Sequence, residues 1–140
     1  MKQPHRARRL ALQGICCLDA RRQKTSEPVD HFIQDSKESP ETIDAARKLL
    51  AGVCEDLPRI DEILARHARH WELSRLALVD RNILRLATWE LRSGKTPHKV
   101  AIAEALRLAQ EFSTIESPRF INGVLDAVAR ELDEKAAGGN

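Results

Sequence analysis

The sequence is poor in aromatic residues, with three Phe, two Trp and no Tyr among 140 residues. Because strands favour aromatic and β-branched side chains, this shortage disfavours an all-β fold. No apolar run approaches the ~20 residues needed to span a bilayer. The basic start is not followed by the apolar core of a secretory signal. We therefore expect no membrane contact and a cytoplasmic location.

Cysteines and catalytic motifs are also scarce. The three cysteines, Cys16, Cys17 and Cys54, fit neither a disulfide framework nor a CxxC redox motif, so we expect reduced thiols. The sequence lacks a glycine-rich phosphate loop and a GxSxG motif. His67 and His70 lie three residues apart, but no neighbouring cysteine or carboxylate completes a recognised zinc pattern. We expect no enzymatic activity, no metal site and no cofactor.

Helical periodicity, in contrast, is present along almost the whole chain, where apolar residues recur at three-four spacing. The first predicted helix runs from about residue 5 to about residue 22. A short helix follows near 29–34. Ser39 or Thr42 is predicted to cap a third helix, and Pro58 to open a fourth.

The second half of the chain contains three more predicted helices. Gly94 is placed to end the fifth helix. Thr96 is the predicted cap of the sixth, with Pro97 at its first helical position, and Ser117 and Pro118 repeat this arrangement for the seventh. About seven amphipathic segments predict an all-α fold, a compact helical bundle in which short connections make sequential helices neighbours.

The first helix begins with a cluster of basic residues. Ala7, Leu10 and Ala11 form its predicted core side, and Gly14 predicts close approach of a neighbouring helix. The residues then expected to point sideways or outward are Arg6, Arg8, Arg9 and Gln13. Clustered guanidinium groups attract phosphates and stack on unpaired bases. Many solvated helices also begin with basic residues, and that interpretation stays open.

The start of the seventh helix is a second candidate site. A helix N-terminus offers unpaired N–H groups to a phosphate, and Arg119 adds a full charge. Phe120 lies at the border of the apolar stripe, about 100° from Ile121 around the axis. It is either buried or leaves one ring face free for base stacking. An ordinary capped helix with a core phenylalanine is the competing interpretation.

Several segments resemble one protein family. Residues 97–105 have the sequence PHKVAIAEA, and residues 120–126 have the sequence FINGVLD. Together they resemble the C-terminal signature of the NusB family, P-x-K-V-x-I-x-E-A followed by F-[VI]-N-G-V-L-D. Residues 80–91 resemble the family's fifth-helix motif and residues 49–53 its third-helix segment. The basic start resembles its arginine-rich first helix.

The resemblance implies an all-α fold of two packed helical subbundles. These form a single RNA-binding domain over residues 1–135, and residues 136–140 are expected to fray. It also implies binding to boxA, a single-stranded RNA element of ribosomal RNA leaders. The implied protein partner is a small-subunit ribosomal protein, called NusE in this role, within an antitermination complex on RNA polymerase. No cofactor and no reaction are implied.

The resemblance also assigns roles to residues of this sequence. The implied RNA-facing residues are Arg6, Arg8, Arg9, Gln13, Arg119 and Phe120, with Glu116 and Asn122 as further candidates. Asp80 is the implied partner-facing residue, although a carboxylate in the first turn of a helix also suits the helix dipole. Gly123 is expected to allow close helix contact, and Glu90 and Glu104 are candidates for internal polar braces.

One departure from the family pattern supports a different function. The family commonly has an aromatic residue after the first-helix glutamine, whereas this sequence has Ile15, Cys16 and Cys17 there. The formal net charge is only +2. Both features favour the alternative that the chain is a NusB-fold protein–protein interaction module with weak or lost RNA binding.

Overall fold

The computed structural model describes residues 4–23, 27–68 and 76–138, and every secondary-structure element in these ranges is helical. The elements are α1 (Pro4–Ala20), a 3-10 turn (Glu27–Val29), α2 (Asp30–Gln34), α3 (Pro40–His67), α4 (Leu78–Ser93), α5 (His98–Phe112) and α6 (Ser117–Gly138). The all-α prediction is confirmed, but these ranges hold six α-helices instead of about seven. The chain divides into two compact units, Met1–Leu57 and Pro58–Asn140.

The helix count differs because α3 continues through Pro58. The prediction that Pro58 opens a new helix is wrong. Proline lacks an N–H and crowds the carbonyl four residues earlier, but Pro58 is exposed, so water can reach the freed carbonyl. The buried stripe keeps its three-four spacing on both sides of the proline, and its members are Ala46, Leu50, Val53, Ile60 and Leu64.

Gly14 lies in the closely packed interior of the first unit. A Cβ atom built on it would lie 3.5 Å from Leu50 Cδ2 and 3.6 Å from both Ile33 Cδ1 and Val29 Cγ2. Side chains of neighbouring elements therefore pack around Gly14, but the predicted close approach of a helix does not depend on the glycine. These distances are ordinary van der Waals contacts, so the site has room for a methyl group.

The end of α1 is a Schellman motif without a glycine. The N–H of Gln23 donates to Leu18 O at 2.8 Å, and the N–H of Arg22 donates to Asp19 O at 3.1 Å. Arg22 has a φ of 58°, in the left-handed region that glycine usually fills at this position. The helix therefore stops two residues before the predicted end.

Two predicted helix boundaries are confirmed. The backbone N–H of Thr42 donates to Ser39 Oγ at 3.2 Å, so Ser39 caps α3. Gly94 ends α4 in the left-handed conformation, with a φ of 71°. At the other end of the chain, α6 continues to Gly138, into the segment expected to fray, while residues 139–140 lie outside the described ranges.

The start of α5 differs by one residue from the prediction. Pro97 has a ψ of 142°, so it is the extended N-cap and not the first helical residue. Its carbonyl accepts hydrogen bonds from Val100 and Ala101, each at 3.0 Å. The hydroxyl of Thr96, the predicted cap, instead donates to Glu90 Oε1 at 3.5 Å.

The second unit packs α4, α5 and α6 around fully buried side chains that include Ile83, Leu84, Leu108, Ile121 and Leu125. Arg85 joins α4 to the second part of α3, with Nε 2.9 Å from Asp61 Oδ1 and an Nη 2.8 Å from Asp61 Oδ2. Its other Nη donates to Asn82 Oδ1 at 3.1 Å. None of the helices in the described ranges is long and apolar enough to cross a membrane.

Candidate nucleic-acid interface

The open face of α1 contains three of the four polar residues predicted for it. Arg6 and Gln13 are exposed, and Arg9 is partly exposed. Positions 6, 9 and 13 follow three-four spacing, so they share one side of the helix. This side therefore presents two guanidinium groups and an amide to solvent.

Arg8 does not belong to this face. It is only 5% exposed, so the expectation that it points sideways or outward is wrong. The physical reason is that α1 buries more than its predicted stripe: Leu12, four residues after Arg8, is also buried, as is the predicted core residue Ile15, seven residues after Arg8. Arg8 shares their side of the helix. Its role as an RNA contact stays a prediction.

Arg6 is paired with an acidic residue that the sequence analysis did not single out. One Arg6 Nη lies 3.4 Å from Glu38 Oε1, and the two side chains are 67% and 30% exposed. Glu38 directly precedes Ser39, the cap of α3. In sequence the two residues lie 32 positions apart, and no periodicity relates them.

The second candidate surface surrounds a pocket of about 290 Å³ at the start of α6. Phe120 borders it and is half-buried, as expected for an aromatic residue at the edge of the apolar stripe. Asp80 and Glu116 bring two carboxylates to the same pocket. The lining residues are Leu76, Ala77, Asp80, Thr114, Glu116, Ser117 and Phe120.

Asp80 fixes the turn between α5 and α6 to the start of α4. Its Oδ1 accepts a hydrogen bond from Ser113 Oγ at 2.5 Å, and its Oδ2 accepts one from Ser117 Oγ at 3.0 Å. The hydroxyls of Ser113 and Ser117 lie 2.8 Å apart, and Thr114 Oγ1 lies 2.9 Å from Ser117 Oγ. We call Asp80, Ser113, Thr114 and Ser117 the Asp80 cluster.

The cluster changes the interpretation of two predicted residues. Ser117 is the first residue of α6 and directs its hydroxyl into the cluster, so the prediction that α6 starts at Pro118 with Ser117 as its cap is wrong. Asp80 has a structural function in the free protein, which sequence reasoning had kept as its competing role. Its contact with a protein partner stays a prediction.

Three further candidates for the RNA-facing set lie on the solvent side of this unit. Arg119, Asn122 and Glu116 are exposed. Gly123 is also exposed, and apart from its chain neighbours and the adjacent backbone of α6 no described atom lies within 4 Å of a Cβ built there, so the expected close helix contact is absent from the described residues. Ile115, in the turn, is 96% exposed, and the sequence analysis missed it.

His67, one of the two histidines weighed as metal ligands, instead contacts Glu131. His67 Nε2 lies 2.7 Å from Glu131 Oε1, while an Arg66 Nη lies 2.5 Å from Oε2 and Lys135 Nζ lies 3.3 Å from Oε2. The hydrogen bond from Arg66 is the main cause that lowers the pKa of Glu131 to about 2. His70 lies outside the described residues.

The described part of the chain offers little support for a metal site or a reactive thiol. No group of three or more His, Cys, Asp or Glu side chains there is arranged to hold a metal ion. None of the three cysteines, all of which lie in the described ranges, forms a disulfide, and all three are half-buried. Burial raises the pKa of the Cys54 thiol, which disfavours the reactive thiolate.

These features define an all-helical protein with a basic helix face in its first unit and an aromatic pocket in its second. The NusB family model matches residues 5–130. A transcription antitermination protein NusB from Solibacter usitatus is 45% identical over 139 residues, which cover 98% of this chain and 95% of that protein. The chain belongs to the NusB family.

Solved structures agree with this assignment. The structure of Thermotoga maritima NusB superposes with a TM-score of 0.83 at 36% identity, and the match covers 94% of each chain. A second neighbour comes from a complex of the antitermination factors NusB and NusE with double-stranded RNA. It has a TM-score of 0.76 and 25% identity, and the match covers 94% of this chain and 99% of that chain.

Proposed function

We propose that this chain is a non-enzymatic transcription antitermination factor that acts in the cytoplasm. It binds boxA-type single-stranded RNA of ribosomal RNA leaders together with a small-subunit ribosomal protein, NusE, in an antitermination complex on RNA polymerase. The observation that carries the proposal is the half-buried Phe120 beside the exposed Arg119, inside the family's C-terminal signature. The NusB–NusE–RNA complex among the structural neighbours supports RNA and NusE as partners.

The pocket beside Phe120 suits a base better than a phosphate. Its two carboxylates, from Asp80 and Glu116, would repel a phosphate inside it. An unstacked base can instead lie on the phenylalanine ring, while its phosphate contacts Arg119 outside the pocket. The exposed Glu116 can accept a hydrogen bond from an exocyclic amino group, and Asn122 can bond a neighbouring base or sugar.

The open face of α1 provides a second RNA surface. Arg6 and Arg9 offer bidentate donors to phosphates, and Gln13 offers an amide to a base edge. Arg8 is buried in the free protein. We therefore expect Arg8→Gln to reduce stability more than it reduces RNA affinity, whereas Arg6→Gln and Arg9→Gln should mainly weaken RNA binding and its dependence on salt.

The test of the proposal is an RNA titration of Phe120 variants beside a thermal melt. Stacking on one aromatic ring is worth ~1–3 kcal/mol, so Phe120→Ala should lose about ten-fold or more in affinity for a boxA-type RNA. Phe120→Leu is the matched control, because it keeps apolar bulk but removes the ring. It should lose nearly as much affinity with a smaller fall in melting temperature.

A core role for Phe120 gives a different result. Truncation of a fully buried phenylalanine to alanine costs ~3–5 kcal/mol of stability, so Phe120→Ala would then unfold at a much lower temperature. Unchanged RNA affinity of the folded fraction would refute the stacking role.

We also propose that Asp80 contacts the protein partner. Because its carboxylate holds the Asp80 cluster together, Asp80→Lys changes both charge and structure. Asp80→Asn keeps the shape and loses the charge, so it is the better variant. Weaker binding to the ribosomal protein with normal RNA binding and a nearly normal melting temperature would support the partner role. If binding to the ribosomal protein, RNA binding and the melting temperature all fell together, only the structural role of Asp80 would remain.

The second candidate function is a protein–protein interaction module without useful RNA binding. The observation in its favour is the half-buried Cys16 on α1 where the family commonly has an aromatic residue nearby. Titrations with the RNA and with the ribosomal protein separate the two functions. The interaction-module function would be favoured by two results together. The chain would bind the ribosomal protein tightly, and it would show no preference for boxA-type RNA over a scrambled RNA even with the ribosomal protein bound.

A further inference from the structure

The loop between α2 and α3 holds an acidic residue against one of the proposed RNA contacts. Glu38 Oε1 accepts a hydrogen bond from Arg6 at 3.4 Å. Arg6 is the exposed arginine of the α1 face, so this carboxylate occupies donors that an RNA phosphate would use. The contact also places a negative charge beside the proposed path of the RNA backbone.

The backbone on both sides of Glu38 is held in place. Before it, the N–H of Asp35 donates to His31 O at 2.8 Å, and the N–H of Ser36 donates to Ile33 O at 3.2 Å. After it, Ser39 caps α3 through the N–H of Thr42. The position of Glu38 is therefore set by the loop and by the helix cap.

We propose that Glu38 masks Arg6 and lowers the affinity of the free protein for RNA until a phosphate displaces the carboxylate. This inference rests on the proposed RNA-binding function and adds a regulatory contact to it. Two effects act together. The carboxylate competes with phosphate for the guanidinium donors, and it repels the phosphate by charge. Both effects weaken as salt screens the charges.

Removal of the Glu38 charge should therefore increase RNA affinity. An exposed ion pair has a small free energy, so Glu38→Gln should bind a labelled boxA-type RNA about two- to five-fold more tightly at low salt. The gain should shrink at higher salt. Glu41→Gln is the matched control, because it removes the same charge from an exposed residue three positions on. It should give a smaller gain.

A double-variant cycle tests whether the effect acts through Arg6. In an Arg6→Gln background, Glu38→Gln should improve affinity no more than Glu41→Gln does. Thermal melts of Glu38→Gln and a second variant, Glu38→Ala, should nearly match that of the wild type, since a solvated ion pair at 3.4 Å contributes little to stability.

The inference would be overturned if Glu38→Gln and Glu41→Gln raised RNA affinity equally. It would also be overturned if Glu38→Gln raised RNA affinity as much in the Arg6→Gln background as in the wild type. In either case the wild type would still prefer boxA-type RNA to a scrambled RNA, and the proposed function would survive. If no variant shows that preference, the RNA-binding function itself fails and the masking with it.

Discussion

The cluster around Glu131 gives a quantitative prediction about stability and pH. Arg66, near the end of α3, donates to both carboxylate oxygens of Glu131 on α6, with Nε 3.0 Å from Oε1 and an Nη 2.5 Å from Oε2. His67 Nε2 lies 2.7 Å from Glu131 Oε1, and Lys135 Nζ lies 3.3 Å from Glu131 Oε2. The Glu131 side chain is only 16% exposed. Glu131→Gln keeps the shape of the side chain and removes the negative charge that Arg66, His67 and Lys135 contact.

The pKa of Glu131 falls from 4.5 to about 2, mainly because of the hydrogen bond from Arg66. A tenfold change in acid dissociation corresponds to ~1.4 kcal/mol, so the upper limit of the stabilisation is ~3 kcal/mol. Water and salt reach the cluster through Arg66, which is 40% exposed. After that screening we expect Glu131→Gln to lower the free energy of unfolding by about 1–2 kcal/mol at neutral pH.

The direction of the pH dependence follows from the lowered pKa. The charged carboxylate is favoured in the folded state, so its contribution is complete above about pH 4.5 and is lost as the pH falls towards about 2. The stability difference between the wild type and Glu131→Gln should therefore shrink over this window.

Urea denaturation of both proteins across this pH window measures the effect. Asp133→Asn is the matched control, because it removes a carboxylate from the same helix that is 72% exposed and 3.6 Å from His98. We expect little change from it. The reasoning would be refuted if the wild type and Glu131→Gln had the same free energy of unfolding at neutral pH. It would also be refuted if the difference between their free energies of unfolding stayed constant down to about pH 2.

Two further predictions concern the first unit. Gly14→Ala should raise the free energy of unfolding by ~0.5–1 kcal/mol, because alanine favours the helix and the new methyl contacts its neighbours at 3.5–3.6 Å. If urea denaturation showed a destabilised variant instead, the space around Gly14 would be too small for a methyl group. Arg22→Gly should add about 1 kcal/mol, because glycine adopts a φ of 58° without the steric cost that arginine has. An unchanged or lower denaturation midpoint would contradict this assignment of strain.

The helices can be predicted from the sequence because their apolar spacing is regular, but the helix start predicted at Pro58 is wrong. Proline is common in the first turn of a helix, and this preference favours a start at Pro58 over the continuous apolar pattern. Yet Leu50, Val53, Ile60 and Leu64 keep a single phase across Pro58. If a new helix began at Pro58, its apolar residues would not need to stay in phase with those before the proline.

The orientation of Arg8 was predicted wrongly for a related reason. The predicted apolar side of α1 includes Ile15 but not Leu12, whereas the helix also buries Leu12, on the side of Arg8. The apolar character of Leu12 is visible in the sequence. Only the packing of the unit, however, determines that a second side is covered.

Long-range polar contacts could not be predicted at all. Asp80 meets Ser113 and Ser117 across 33 and 37 positions, and Arg6 meets Glu38 across 32. Serine, aspartate and glutamate at these positions are compatible with any solvated turn. Their pairing depends on the fold that brings the helix ends together.

The Asp80 cluster therefore connects Asp80, the proposed contact with the protein partner, to Phe120, the proposed contact with RNA. Ser117 starts α6 and donates to Asp80, while Phe120, three residues later, borders the same pocket. A rigid turn fixes where the phenylalanine ring stands, because three residues span less than one turn of helix. A substitution that disrupts the Asp80 cluster should thus disturb the proposed RNA surface as well as the proposed partner surface. For this reason the shape-preserving Asp80→Asn, and not Asp80→Lys, distinguishes contact with the protein partner from support of the RNA site.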